Sequence, residues 1–115
     1  KKIIELGNIK SKRDFLYVDD VINAILLIMK KNHNYNAYNV GSEKSYSINK
    51  ICTILKGISE KNFTINTSRT KIRKNDSMEI LSNSSKLKKL GWKAKTSVPE
   101  GLKITYNWHL NNSNL

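Results

Sequence analysis

One cysteine, one proline and five scattered glycines leave this 115-residue sequence without the residues that mark many functional sites. Cys52 has no intramolecular partner, which excludes a disulfide scaffold and fits a reducing cytoplasm, the compartment expected here. The two histidines, His33 and His109, lie far apart, and no HExxH or CxxC pattern occurs, so no metal site is expected. Gly7, Gly41, Gly57, Gly91 and Gly101 form neither a GxGxxG turn nor a P-loop, so no cofactor-binding residue is expected in the chain. The longest apolar stretch, Val21 to Met29, is interrupted by Asn23 and falls short of the roughly 20 residues that span a bilayer. No membrane partner is expected.

Acidic residues are also scarce, 9 against 21 basic ones, for a net charge of +12. That balance first points to nucleic acid. However, 18 of the basic residues are lysine and only 3 are arginine, at Arg13, Arg69 and Arg73. Lysine rising together with Asn and Ile is the drift of an AT-rich coding sequence. The lysines are also dispersed, and the tightest group, Lys86, Lys88 and Lys89, shares a helical pattern with leucines. A small basic nucleic-acid-binding module is therefore the alternative reading, and no nucleic-acid partner is expected. A content of 38% hydrophobic and 26% charged residues belongs to a folded chain. The opening Lys1-Lys2-Ile3-Ile4 reads as the middle of an element, and a fragment is expected.

Pattern along the chain predicts a mixed α/β architecture. Ile3, Ile4 and Leu6 predict a strand ending at Gly7-Asn8, and Phe15 to Val18 a second extended stretch. Asp19 or Asp20 is expected to cap a helix over Val21 to Met29. That helix is apolar around most of its circumference, so packing on more than one side is expected. His33 to Asn36 reads as a polar loop and Ala37 to Val40 as a short buried strand. Ser47 is expected to cap a helix with Ile48, Ile51, Leu55 and Ile58 on one face. Phe63, Ile65 and Thr67 alternate as a strand, and Ser68 to Ser77 is a polar loop. Leu87 and Leu90 face inward from a short helix stopped by Gly91. Ser97-Val98-Pro99-Glu100 is a capping box opening a last helix, with Val98, Leu102, Tyr106 and Leu110 on one face.

No catalytic set stands out. Tyr46 and Lys50 have a Tyr-x-x-x-Lys spacing, but Tyr46 lies outside the predicted helix, and Cys52 sits in an apolar helical pattern. The arginines carry more information. In a lysine-drifted sequence a retained arginine points to a need for its planar fork, which binds phosphate bidentately. The competing reading is a structural ion pair, for example to Asp14 or Asp76, and residue type leaves the two open.

Six blocks, in order and covering nearly the whole chain, resemble the extended short-chain dehydrogenases/reductases, the nucleotide-sugar epimerases, 4,6-dehydratases and 4-reductases. They are Gly7-Asn8 followed by Arg13-Asp14-Phe15-Leu16-Tyr17-Val18-Asp19-Asp20; Tyr38-Asn39-Val40-Gly41-Ser42; Ser47-Ile48; Arg73-Lys74-Asn75-Asp76; Ser85-Lys86-Leu87 with Leu90-Gly91-Trp92; and Pro99-Glu100-Gly101-Leu102. The pattern is most similar to GDP-mannose 4,6-dehydratases and GDP-6-deoxy-4-keto-mannose reductases. Lys74 and Ala94 stand where the family carries prolines.

The resemblance implies the C-terminal part of a Rossmann-type NAD(P)-binding fold plus a small α/β substrate-binding domain. Residues 18–42 would complete the sheet, and residues 1–17 and 43–110 would bind substrate. NAD or NADP would be held by a preceding half that also carries the catalytic Tyr-x-x-x-Lys pair, leaving this piece inactive and poorly soluble alone. Arg13 and Arg73 would contact the diphosphate of a nucleotide-diphosphate sugar. Asp76 would position the loop or touch the ribose, and Asn8 and Ser47 would line the pocket. The parent would be a homodimer or higher oligomer. A remnant without activity is the third reading.

Overall fold

A computed structural model describes residues 2–31 and 37–113. The expected loop at His33 to Asn36 lies outside the described residues.

The first strand, β1 (Lys2–Leu6), pairs in parallel with β4 (Phe63–Thr67), matching Lys2 to Phe63 and Leu6 to Thr67. A second, three-stranded sheet is built from two-residue strands. Its centre is β2 (Lys12–Arg13), antiparallel to β3 (Tyr46–Ser47) and parallel to β5 (Glu79–Ile80). Among the described residues there are four α-helices: α1 (Val18–Lys30), α2 (Ile48–Ser59), α3 (Ser85–Lys89) and α4 (Val98–Asn111).

The helix ends follow local chemistry. The Ser47 hydroxyl accepts the Lys50 N–H at 3.0 Å, satisfying one of the unpaired donors at the start of α2. Ser97 does the same for Glu100 in α4, where Pro99 occupies the first turn. Gly91, with φ +100°, takes the left-handed turn that ends α3. On α4 the expected face is only partly covered: Leu102 and Tyr106 are half-buried, while Leu110 is exposed. Ser47→Ala is expected to destabilise the protein by about 1 kcal/mol through loss of the α2 cap, measured as a lowered denaturation midpoint.

Two expectations around α1 are corrected. The helix begins at Val18, so the extended stretch stops at Tyr17, which is the N-cap and caps with no side chain. Asp19 and Asp20 lie in the first turn. Asp20 is 2% exposed, and its carboxylate accepts the backbone N–H groups of Lys95 and Thr96, each at 3.0 Å. Its carbonyl accepts the Trp92 indole N–H at 2.9 Å. The carboxylate is thus committed to a distant segment and not to its own helix end. The second correction concerns Ala37 to Val40, which forms no strand, because no described strand runs beside it.

The core is small. Ala24, Leu87 and Trp92 are buried together, with Leu16, Leu27, Ile28, Tyr38 and Val40 packed around them. One face of α1 is therefore covered, while Ile22, Ile25, Leu26 and Met29 remain exposed. Cys52 is half-buried in α2, and burial raises its thiol pKa, which suits a packing residue.

Candidate functional site

Among the expected site residues, Asp76 is bound directly to Arg13 of β2, and Ser47 is paired across from Lys12 of the same strand. Arg13, at its end, directs its guanidinium to the segment before β5. Nη2 donates to Asp76 Oδ1 at 2.8 Å, while Nη1 donates to the Ser77 carbonyl at 2.8 Å and the Lys12 carbonyl at 2.7 Å. Three of the five guanidinium N–H groups are engaged, leaving two for a ligand. The structural ion pair weighed for Arg13 therefore exists, and its partner is Asp76. Both side chains keep about a quarter of their surface exposed, so the pair is screened and its main effect is geometric.

Asn8 and Ser47 lie beside the same strand. Ser47 is paired across from Lys12, and Asn8 contacts the Met78 sulfur through Nδ2 at 3.5 Å. The Asn8 Oδ1 accepts the Lys10 N–H at 3.0 Å, closing the turn after β1. The Ser47 hydroxyl is occupied as the α2 cap, so its presence at the site is tied to helix formation. Arg73 lies on the loop that Asp76 and Ser77 tie to Arg13. It is exposed and has no ion-pair or hydrogen-bond partner among the described residues.

Two acids outside the expected set shape the surroundings. Asp14 follows Arg13, and its carboxylate caps the bend at Glu43. Oδ1 accepts the Ser42 N–H at 2.9 Å and the Ser42 hydroxyl at 2.6 Å, and Oδ2 accepts the Glu43 N–H at 2.9 Å. Glu43, with φ +63°, then reaches α3, accepting from the Ser84 N–H and the Lys88 ammonium. The Lys88 hydrogen bond, then the Ser84 N–H, holds its carboxyl below the ordinary range. A cavity of about 430 Å³ opens beside this cap, lined by Arg13, Asp14, Asn39 and Ile80–Asn83. Neither acid announces this role in sequence, because the partners lie at least 28 residues away.

No group of three His, Cys, Asp or Glu side chains able to hold a metal occurs among the described residues. Gly91, the one glycine with positive φ among the described residues, ends a helix instead of opening one onto a phosphate. No described helix is long and apolar enough to cross a membrane.

A family model described as GDP-mannose 4,6 dehydratase matches residues 1–105. A CDP-abequose synthase from Salmonella muenchen is 36% identical over 82% of this chain and 33% of its own length. The solved UDP-glucose 4-epimerase of Thermotoga maritima, with UDP-glucose, superposes with a TM-score of 0.81 at 31% identity, over 98% of this chain and 36% of that one. UDP-glucuronic acid 4-epimerase from Bacillus cereus, with UDP-glucuronic acid and NAD, gives 0.82 at 26% identity, over 95% and 35%. The chain thus spans about a third of the length of the relatives it matches. Its mixed α/β fold is that of part of a Rossmann-type epimerase/dehydratase structure. The nucleic-acid-binding reading finds no support in these matches.

Proposed function

Because this chain belongs to the GDP-mannose 4,6-dehydratase family of extended short-chain dehydrogenases/reductases, we propose that it is the C-terminal, substrate-binding part of a nucleotide-sugar epimerase, dehydratase or reductase. In this reading NAD or NADP, bound by sequence outside this chain, supplies hydride chemistry at the sugar ring. Catalytic proton transfer also lies outside the chain. The helix α1 packs on the cofactor-binding sheet, which accounts for its exposed apolar face. Residues 1–17 and 43–110 form the substrate lobe of a cytoplasmic dimer or larger oligomer.

The observation that carries the reading is an anchored guanidinium, Arg13, that holds the loop bearing a second, exposed arginine, Arg73. Arg13 is fixed by Asp76 and Ser77 with two N–H groups to spare, while Arg73, on the loop so tethered, has no partner among the described residues. Two guanidinium forks, one on β2 and one on the loop tied to it, match the charge of a diphosphate. Asn8 and Ser47 flank the same strand and line the nucleotide side of the pocket. Asp76 holds the loop and stands within reach of the ribose.

Calorimetric titration of the whole protein with GDP, CDP, UDP and dTDP, and with the matching nucleosides, tests this. At least one diphosphate is expected to bind, and its nucleoside far more weakly. Loss of a charged hydrogen bond is worth about 1.5–3 kcal/mol, so Arg73→Ala and Arg13→Ala should each weaken the diphosphate by roughly 10- to 100-fold. NAD(P) affinity should be unchanged. Wild-type diphosphate affinity in both variants would sink the assignment.

A further inference from the structure

The loop carrying Arg73 is fixed at both ends. At its start, the Ser68 N–H donates to the Leu6 carbonyl at 2.7 Å, and a 3-10 turn spans Arg69–Lys71. The Lys71 carbonyl lies so close to Gly7 that a Cβ there would overlap it. At its end, Asp76 and Ser77 are held by Arg13, and the Lys12 N–H donates to the Met78 carbonyl at 2.6 Å. The chain turns between these anchors at Lys74-Asn75. Asn75 has φ +61°.

Three non-glycine residues in the described chain have positive φ, and the other two have local explanations. Glu43 is bent so that its carboxylate reaches α3, and Glu60 is the C-cap of α2. The Asn75 side chain makes no hydrogen bond among the described residues, and its backbone conformation is the feature that matters. Lys74 is not among the positive-φ residues, so Arg73 to Asp76 has the sign pattern of a type II turn. The third position of such a turn requires a left-handed residue, which Gly and Asn tolerate and β-branched residues resist.

We infer that Asn75 is a positioning residue for phosphate recognition: its left-handed turn aims Arg73 while leaving Asp76 on Arg13. This rests on the diphosphate reading above. With Asp76 and Ser77 fixed, changing residue 75 to an extended conformation redirects the chain at Lys74 and Arg73. The 3.8 Å steps between successive Cα atoms carry Arg73 off target. The loop anchors survive and the aim is lost.

The test compares Asn75→Gly, Asn75→Ala and Asn75→Val in the whole protein, titrated with whichever of GDP, CDP, UDP or dTDP binds the parent. Asn75→Gly should bind within about twofold of the parent, because glycine adopts the same conformation. Asn75→Val should bind about tenfold or more weakly, and Asn75→Ala in between. NAD(P) affinity and melting temperature should stay near parental values, and in turnover KM should rise while kcat holds. Parental affinity in both Asn75→Ala and Asn75→Val would overturn the inference. So would a loss in Asn75→Gly equal to that in Asn75→Val, because the side chain would then be the active element. If Arg73→Ala also leaves binding intact, the diphosphate reading fails; if Arg73→Ala weakens binding and Asn75→Val does not, only the positioning role fails.

Discussion

Asp20→Ala is expected to lower the stability of the whole protein by about 3 kcal/mol or more, enough to abolish a marginal fold. Asp20 is 2% exposed, and its carboxylate serves as acceptor for two backbone N–H groups, those of Lys95 and Thr96. Alanine strips both donors of their partner where water has little access, at about 1–3 kcal/mol each. The affected segment leads into the Ser97 cap of α4, and the same residue's carbonyl receives the Trp92 indole. Asp20→Asn keeps one acceptor oxygen and turns an NH2 group toward the other donor, so an intermediate loss is expected. Urea unfolding followed by circular dichroism measures both. A midpoint for Asp20→Ala equal to the parent's would show that the 95–96 segment finds other acceptors.

Gly41→Val should be damaging in a different way, through volume. An added Cβ at Gly41 would overlap the Ser82 side chain and lie 2.6 Å from Asp14 Oδ2. Both neighbours are fixed. Asp14 is bound to the Ser42 and Glu43 N–H groups, and Ser84, two residues beyond Ser82, donates its buried hydroxyl to the Gly41 carbonyl at 2.7 Å. Overpacking of a fixed site costs typically about 1–3 kcal/mol, and the two extra methyls of valine put the effect at the upper end. Asp14 adjoins Arg13 and both line the 430 Å³ cavity, so binding should suffer together with stability. A variant with the parental melting temperature and parental diphosphate affinity would contradict this close approach.

The parts of the fold that were legible in sequence are those whose causes are local. Ser47 and Ser97-Pro99 mark their helix starts because a cap involves residues three apart. The alternation in Phe63 to Thr67 shows a strand of five residues, long enough to display its period. The strands β2, β3 and β5 have two residues each, too few for any pattern, and they exist only because they meet one another. Ala37 to Val40 has strand composition but no described neighbour. Asp20 has a helix-cap residue type at a helix start, yet tertiary structure claims its carboxylate. The site divides the same way. Arginine retention and motif order single out Arg13, Arg73 and Asp76, but residue type could not choose between phosphate and ion pair for Arg13. The roles of Asp14 and Glu43 depend on partners far along the chain, and that of Asn75 on a backbone angle.

The strand pairings carry a consequence for how the protein is made. Lys2 meets Phe63, Lys12 meets Glu79, and Arg13 meets Asp76, each spanning more than sixty residues. Such closures order a long loop before the contact repays it, and they slow folding. At the ribosome, the helices α1 and α2 emerge well before β5 and the Asp76 segment exist. Arg13 must therefore wait, solvated and unpaired, until synthesis has passed residue 80. A chaperone-dependent yield, rising as translation is slowed at low temperature, is the behaviour this topology leads one to expect.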